Sequence, residues 1–310
     1  MERRAYDCVL FNGEFDVLAI RMQELNEIVH RFVVVEANKT FSGLEKPVKF
    51  MKNHAAIKDF SSKLDFVLVD DMPETNNAWD REVWQRNSVV RGLTDALSND
   101  LILMSDVDEI PRAECVREAL SDEQSSAFGF RMGVYYFYMN YKNTKGSHNS
   151  IWAVGANLEM LTTHTPDSLR YNVRNGTVAA RIFENGGWHF SYLMDEVAVR
   201  EKIRSFSHQE FNKRRFLKRI DLEKIVSESS DLFGRSGFEW SVVKESDLPR
   251  YIVEHEKEFR KYFANGSPAP RRSMPSSPGD SAQRSPVGAL RMPAWDYLTT
   301  LFRTLRRAIW

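Results

Sequence analysis

Leu101-Ile-Leu-Met-Ser-Asp-Val-Asp-Glu-Ile-Pro111 is the stretch that decides the fold. Residues 101–104 are apolar and read as a buried strand, which runs at once into three acids, Asp106, Asp108 and Glu109. In extended chain, alternate side chains point the same way, so Asp106 and Asp108 are predicted to face one ion. Two carboxylates are hard oxygen ligands suited to Mn²⁺ or Mg²⁺, and a diphosphate can complete the shell. An EF-hand is excluded, because that loop wants Asp or Asn and then Gly where this chain has Ile110 and Pro111. The bland alternative is a solvated acidic turn that ends a strand.

Working outward toward the N-terminus, strands and helices alternate. Residues 6–12 form a short apolar run and residues 31–36 a β-branched one, and both read as strands, as does 63–69. Between them, residues 16–30 place Leu18, Met22, Leu25, Ile28 and Val29 at helical spacing. Residues 80–97 do the same with Val83, Asn87, Val90, Thr94 and Leu97. Strands this apolar alternating with helices predict an α/β domain with a mostly parallel sheet, covered on both faces. Ligands of such sheets bind at the carboxyl ends of the strands, so Asn12, Glu36, Asp70 and Asp106 are candidates for one crevice.

Toward the C-terminus the composition changes. The 310 residues balance 43 basic against 43 acidic side chains, which argues against a nucleic-acid binder. The balance hides a tail: residues 266–310 carry seven Arg against two Asp, so residues 1–265 sum to −5. Residues 266–293 hold six Pro, six Ser and three Gly and read as a flexible linker after a domain of residues 1–265. In residues 294–310, Trp295, Leu298, Leu301, Phe302, Leu305 and Ile309 share a helical face beside Arg303, Arg306 and Arg307. That basic amphipathic helix is predicted to contact an anionic membrane surface peripherally; docking on its own domain is the alternative. No apolar run is long enough to span a bilayer and no leader is visible. With only Cys8 and Cys115, this predicts a cytoplasmic chain with free thiols. On that expectation the sequons at Asn38, Asn175 and Asn265 are chance matches.

Several ordered motifs carry a specific resemblance. They are Tyr6-Asp-Cys-Val-Leu-Phe-Asn-Gly-Glu-Phe-Asp16 with Phe32-Val-Val-Val-Glu36, Trp84-Gln-Arg-Asn87, Ser105-Asp-Val-Asp-Glu-Ile-Pro-Arg112 and Arg131. Tyr135-Tyr-Phe-Tyr138, Gly187-Trp-His-Phe-Ser-Tyr192 and Phe206-Ser-His208 follow. Over residues 6–265 the chain resembles glycosyltransferase family seventeen, the family of the animal β-1,4-mannosyl-glycoprotein 4-β-N-acetylglucosaminyltransferase. The resemblance implies a GT-A-like fold, a UDP-sugar donor (UDP-GlcNAc in characterised members), a glycan acceptor, a divalent metal on Asp106 and Asp108, and inversion at the sugar carbon.

A broader likeness to GT-A enzymes implies donor-binding roles for Glu36, Arg86, Asn87 and Asp106. Their blander readings are a strand-end cap for Glu36 and a helix-face salt bridge for Arg86. His189 is the expected further metal or phosphate contact, against the alternative of a satisfied core histidine. Lys202, Arg204 and His208 are candidates to neutralise the leaving diphosphate. Inversion needs a base, and Asp195 and Glu184, which flank the His189 motif, are the expected ones, with Glu109 a third. The aromatic run 135–141 is either a platform for an acceptor sugar or a buried strand. A lipid-linked or surface-polysaccharide acceptor, another nucleotide sugar, or a dead membrane-recruited scaffold are the rival readings.

Overall fold

Val33, Val34 and Val35 have no exposed surface, as expected of a strand covered on both faces. The computed structural model describes residues 3–50, 55–146, 150–244 and 248–264. Its first half runs β1 (Ala5–Leu10), α1 (Phe15–Leu25), β2 (Val29–Ala37), β3 (Leu64–Val69), α2 (Ala78–Asn87) and β4 (Leu101–Asp106). The order in the sheet is β4-β1-β2-β3, all parallel. Alternation sorts the side chains between two cores. Val9, Phe32, Val34, Leu101 and Leu103 pack on one face with Leu18 and Met22 of α1. Cys8, Val33, Val35, Ile102 and Met104 pack on the other. Burying the larger of these side chains contributes roughly 1.5–3 kcal/mol each.

Two helices stop short of their predicted ends. The helix expected over 16–30 finishes at Leu25, because Val29 already pairs with Ala5 in the sheet. The helix expected over 80–97 finishes at Asn87 and gives way to a 3-10 turn, Ser88–Gly92. Gly92 sits on the sheet so closely that a Cβ there would lie 2.4 Å from Val33 Cγ1.

The second half adds β5 (Glu109–Pro111), α3 (Ala113–Ser121), β6 (Ala127–Tyr136), β7 (Tyr141–Lys145), β8 (Ile151–Asn157), α4 (Pro166–Arg174), β9 (Arg181–Ser191), α5 (Glu196–Ser205) and β10 (Glu239–Val242). β8 pairs antiparallel with β4, and β6, β7 and β10 continue outward antiparallel. β9 runs parallel to β6 and antiparallel to β5. The sheet is therefore mixed: parallel where the sequence predicts it, antiparallel beyond β4. With helices packed against it, this is the α/β class predicted from the sequence. The aromatic run is largely buried, with Tyr135 and Tyr141 at 2% and 0% exposure, but only its ends lie in strands: residues 137–140 turn between β6 and β7, and Phe137 has φ +63°. Cys8 and Cys115 are free thiols. Among the described residues no helix is long and apolar enough to cross a membrane. The predicted linker 266–293 and helix 294–310 lie outside the described residues.

Candidate active site

Beyond the carboxyl ends of β1 and β4 the surface opens into a cavity of about 1000 Å³. The acidic motif stands on its wall. Residues 107–108 form a turn between β4 and β5 rather than extended chain, so the alternation expected from the sequence does not apply. Asp106 and Asp108 consequently meet different partners.

Asp106 Oδ1 accepts from Arg86 of α2 at 2.9 Å and from Arg170 of α4 at 3.2 Å. Enclosure alone would raise this carboxyl; Arg170 and Arg86 overcome that and hold it well below the usual carboxylate range. Asp108 Oδ2 accepts from Lys202 of α5 at 3.0 Å, and its Oδ1 lies 3.7 Å from His189 Nε2. Burial would lower Lys202, but Asp108 and Glu14 raise it above its ordinary value, so it stays an ammonium. Burial lowers His189 to about 4 against the pull of Asp108, so its ring is neutral at pH 7. That ring lies 4.2 Å from the Trp152 ring, and its Nδ1 is buried with no hydrogen-bond partner.

The turn is clamped on two sides. Beneath it, Arg21 of α1 has no exposed surface and pairs with Asp7 of β1 at 2.6 Å. Its remaining N–H groups donate to Ser105 Oγ at 2.7 Å and to the carbonyl oxygens of Glu109 at 2.6 Å and Asp106 at 3.3 Å. On the other side the Glu109 carboxylate accepts from Asp106 N–H at 2.8 Å and from Arg170 at 2.6 and 2.9 Å. Burial pushes Glu109 up to about 7, against the opposing pull of Arg170. β9 delivers His189 opposite Glu109 through the β5 pairing. Gly186 and Gly187 permit that approach, because a Cβ on Gly187 would lie 2.1 Å from the Ile110 carbonyl oxygen.

The structure therefore brings together Asp106, Asp108, Arg86, His189, Lys202 and Glu109, and Asn12 and His208 also stand on the wall of the same cavity. It does not bring in the others. Glu36 is fully buried and accepts from the backbone N–H groups of Lys49 and Phe50, each at 2.9 Å, so it caps the segment after β2. Asn87 accepts from Asp167 N–H at 3.0 Å and ties α2 to α4. Asp195 is exposed and caps α5 by accepting from Ala198 N–H at 2.9 Å. Glu184 is 69% exposed and pairs with Arg131. Both expected bases are thus corrected to structural roles away from the cavity wall, and Asp70 and Arg204 also lie off it.

Sequence reasoning missed Arg170, the residue that bridges Asp106 and Glu109. Its only local signal is the Arg170–Arg174 pair one helical turn apart on α4, which resembles any charged helix face.

Among the described residues no three His, Cys, Asp or Glu side chains converge closely enough to hold an ion. The expected triad of Asp106, Asp108 and His189 is corrected to a pair, because Asp106 is turned to its two arginines. Asp108 and His189 do fit a divalent cation: the Asp108 carboxylate stands 3.7 Å from Nε2 of a neutral imidazole, an oxygen and a nitrogen donor facing each other.

Comparison with known proteins adds the following. Residues 1–267 match the model of glycosyltransferase family 17. The chain is 24% identical over 304 residues to the β-1,4-mannosyl-glycoprotein 4-β-N-acetylglucosaminyltransferase of Rattus norvegicus, covering 88% of this chain and 56% of that one. It is 28% identical over 177 residues to the Homo sapiens enzyme of the same name, covering 54% and 31%. The chain spans about half the length, or less, of the curated relatives it matches. Among solved structures it is similar to a Mycobacterium tuberculosis glucosyl-3-phosphoglycerate synthase in complex with Mn²⁺, UDP and glucosyl-3-phosphoglycerate. That likeness has a TM-score of 0.35 and 12% identity over 66% of this chain and 76% of that one.

Proposed function

Because the chain belongs to glycosyltransferase family 17, we propose that it moves a sugar, N-acetylglucosamine by the names of its relatives, from a UDP-sugar to a hydroxyl of a glycan acceptor. The observation that carries this reading is the Asp106–Asp108 turn, set at the mouth of the parallel strands against Arg86, Arg170, Lys202 and a neutral His189. An enclosed cluster of cations and carboxylates of this kind suits a diphosphate carrying a sugar.

Asp108 and His189 would hold the Mn²⁺ or Mg²⁺ that the family implies, with Asp106 beside them. Such an ion supplies charge neutralisation at the diphosphate. The chain's own groups do the remaining work. Arg86 and Arg170 keep Asp106 ionised and fixed in place. Lys202, kept protonated, is positioned to neutralise charge that grows on the departing UDP as the C1–O bond breaks. His189 stays neutral and so adds no positive charge to the donor pocket. The acceptor hydroxyl attacks from the opposite face and inverts the carbon, which requires a base within hydrogen-bond reach. With Asp195 and Glu184 off the cavity, that role passes to a group on its wall.

The test is a screen of nucleotide sugars with purified protein and Mn²⁺, followed by linkage analysis of the product. Turnover of a UDP-sugar with transfer to a glycan supports the reading. Turnover confined to pyrophosphorolysis, or to donors without uridine, contradicts it.

A further inference from the structure

Among the described residues seven large hydrophobic side chains remain exposed, and three of them, Trp79, Val83 and Tyr171, stand on the wall of the one cavity described above. Trp79 and Val83 lie one turn apart on α2, at 44% and 37% exposure, and Tyr171 lies on α4 at 67%. None of the three belongs to a hydrophobic core cluster, so packing does not account for them. Trp79 sets its edge against the His208 ring at 4.7 Å, and His208 is bracketed by Phe206 and Phe211. The cavity thus has two ends of opposite character. One holds the charged groups of the acidic turn. The other is an aromatic wall whose polar groups include the imidazole and carboxylate of His208 and Glu210, 2.7 Å apart.

An anion would be drawn to the charged end. A purely apolar ligand would leave the His208–Glu210 pair desolvated without new partners. A neutral pyranose ring matches both features, since it carries a C–H face that packs on an aromatic side chain and a rim of hydroxyls that needs donors and acceptors. The wall is also continuous with the donor end, as a second substrate requires if its hydroxyl is to reach the sugar carbon.

We propose that Trp79, Val83 and Tyr171 form the acceptor subsite, stacking a neutral pyranose of the acceptor glycan while its hydroxyls reach His208 and Glu210. This rests on the donor reading of the charged end. It narrows the acceptor to one that presents an uncharged sugar at the aromatic wall.

The experiment uses the full chain and a panel of soluble oligosaccharides: neutral β-mannosides, chitobiose and lactose, with sialylated and phosphorylated counterparts. Binding is read by saturation-transfer NMR in the presence of UDP and Mn²⁺, and UDP-induced thermal stabilisation is read in parallel. At least one neutral sugar is expected to bind the wild type with its C–H face saturated. Trp79→Ala and Tyr171→Ala should each weaken it about tenfold, the scale of one lost aromatic contact. Trp79→Phe should restore part of the binding, and UDP stabilisation should stay at the wild-type value in all three. Unchanged affinity in both alanine variants, binding of the charged sugars alone, or no binding by the panel overturns the proposal. Loss of UDP stabilisation in the wild type with sugar binding intact overturns the donor reading instead.

Discussion

Arg21 and Asp7 carry opposite charges with no exposed surface, an arrangement that rarely favours stability over apolar side chains of the same size. Its use here is the turn above it, since the guanidinium holds the carbonyl oxygens of Asp106 and Glu109. Arg21→Met should cost about 3–5 kcal/mol in urea denaturation, because it strands a buried carboxylate. The double variant Arg21→Met, Asp7→Leu should recover much of that loss while UDP–Mn²⁺ stabilisation stays depressed. Wild-type UDP stabilisation in the double variant would show that the clamp is not needed. His189 provides the pH test. Its ring titrates at about 4 in the fold against an ordinary 6.5, so the unfolded chain binds the extra proton first. The neutral ring's contribution is complete above pH 6.5 and is lost as pH falls toward 4, up to about 3 kcal/mol. Glu109 opposes this, since its raised carboxyl loses stability as pH rises from 4.5 toward 7. The difference between wild type and His189→Gln isolates the histidine and should shrink from pH 6.5 to 4; a flat difference would contradict the shift. Asp106, Asp108 and His189 were legible because each sits in a compact motif. Glu36 was misread because a strand-end acid looks the same whether it faces a ligand or caps its own chain.

At the level of elements, the site depends on how β5, β9 and α5 meet. Gly187 has φ +153°, and a Cβ there would run into the Ile110 carbonyl oxygen. Gly187→Ala should therefore cost about 3 kcal/mol or more, as the ribbon that carries His189 to Asp108 must part. A melting temperature equal to wild type would contradict this. Asp195→Ala removes only the cap of α5, an expected loss of about 1 kcal/mol. Turnover should stay at the wild-type level, and its abolition would return Asp195 to the chemistry. Helix starts and strand cores were readable from periodicity. Helix ends were not, because Val29 is claimed by the sheet and Gly92 by its close seat on Val33, and both are tertiary facts. The turn at 107–108 was hidden for the same reason: Arg21 grips it from outside the motif, while Glu109 closes it from within.

For the whole molecule, the parallel half was legible because β1, β2 and β3 pair in chain order through local crossovers, and β4 then returns to the other side of β1. The antiparallel half was not. β6 pairs with β9 across more than fifty residues, and no local pattern encodes that partnership. The site lies where the halves meet, with the acidic turn ending the parallel sheet, β9 supplying His189, and α4 and α5 supplying Arg170 and Lys202. One cavity with a charged end and an aromatic end results, and the charged end is the central claim. The most direct measurement is the melting temperature with and without UDP and Mn²⁺, for the wild type and for Asp108→Ala. The account predicts a rise of a few degrees in the wild type, at ligand well above its dissociation constant, and none in the variant. An equal rise in both proteins, or no rise in the wild type, would contradict it.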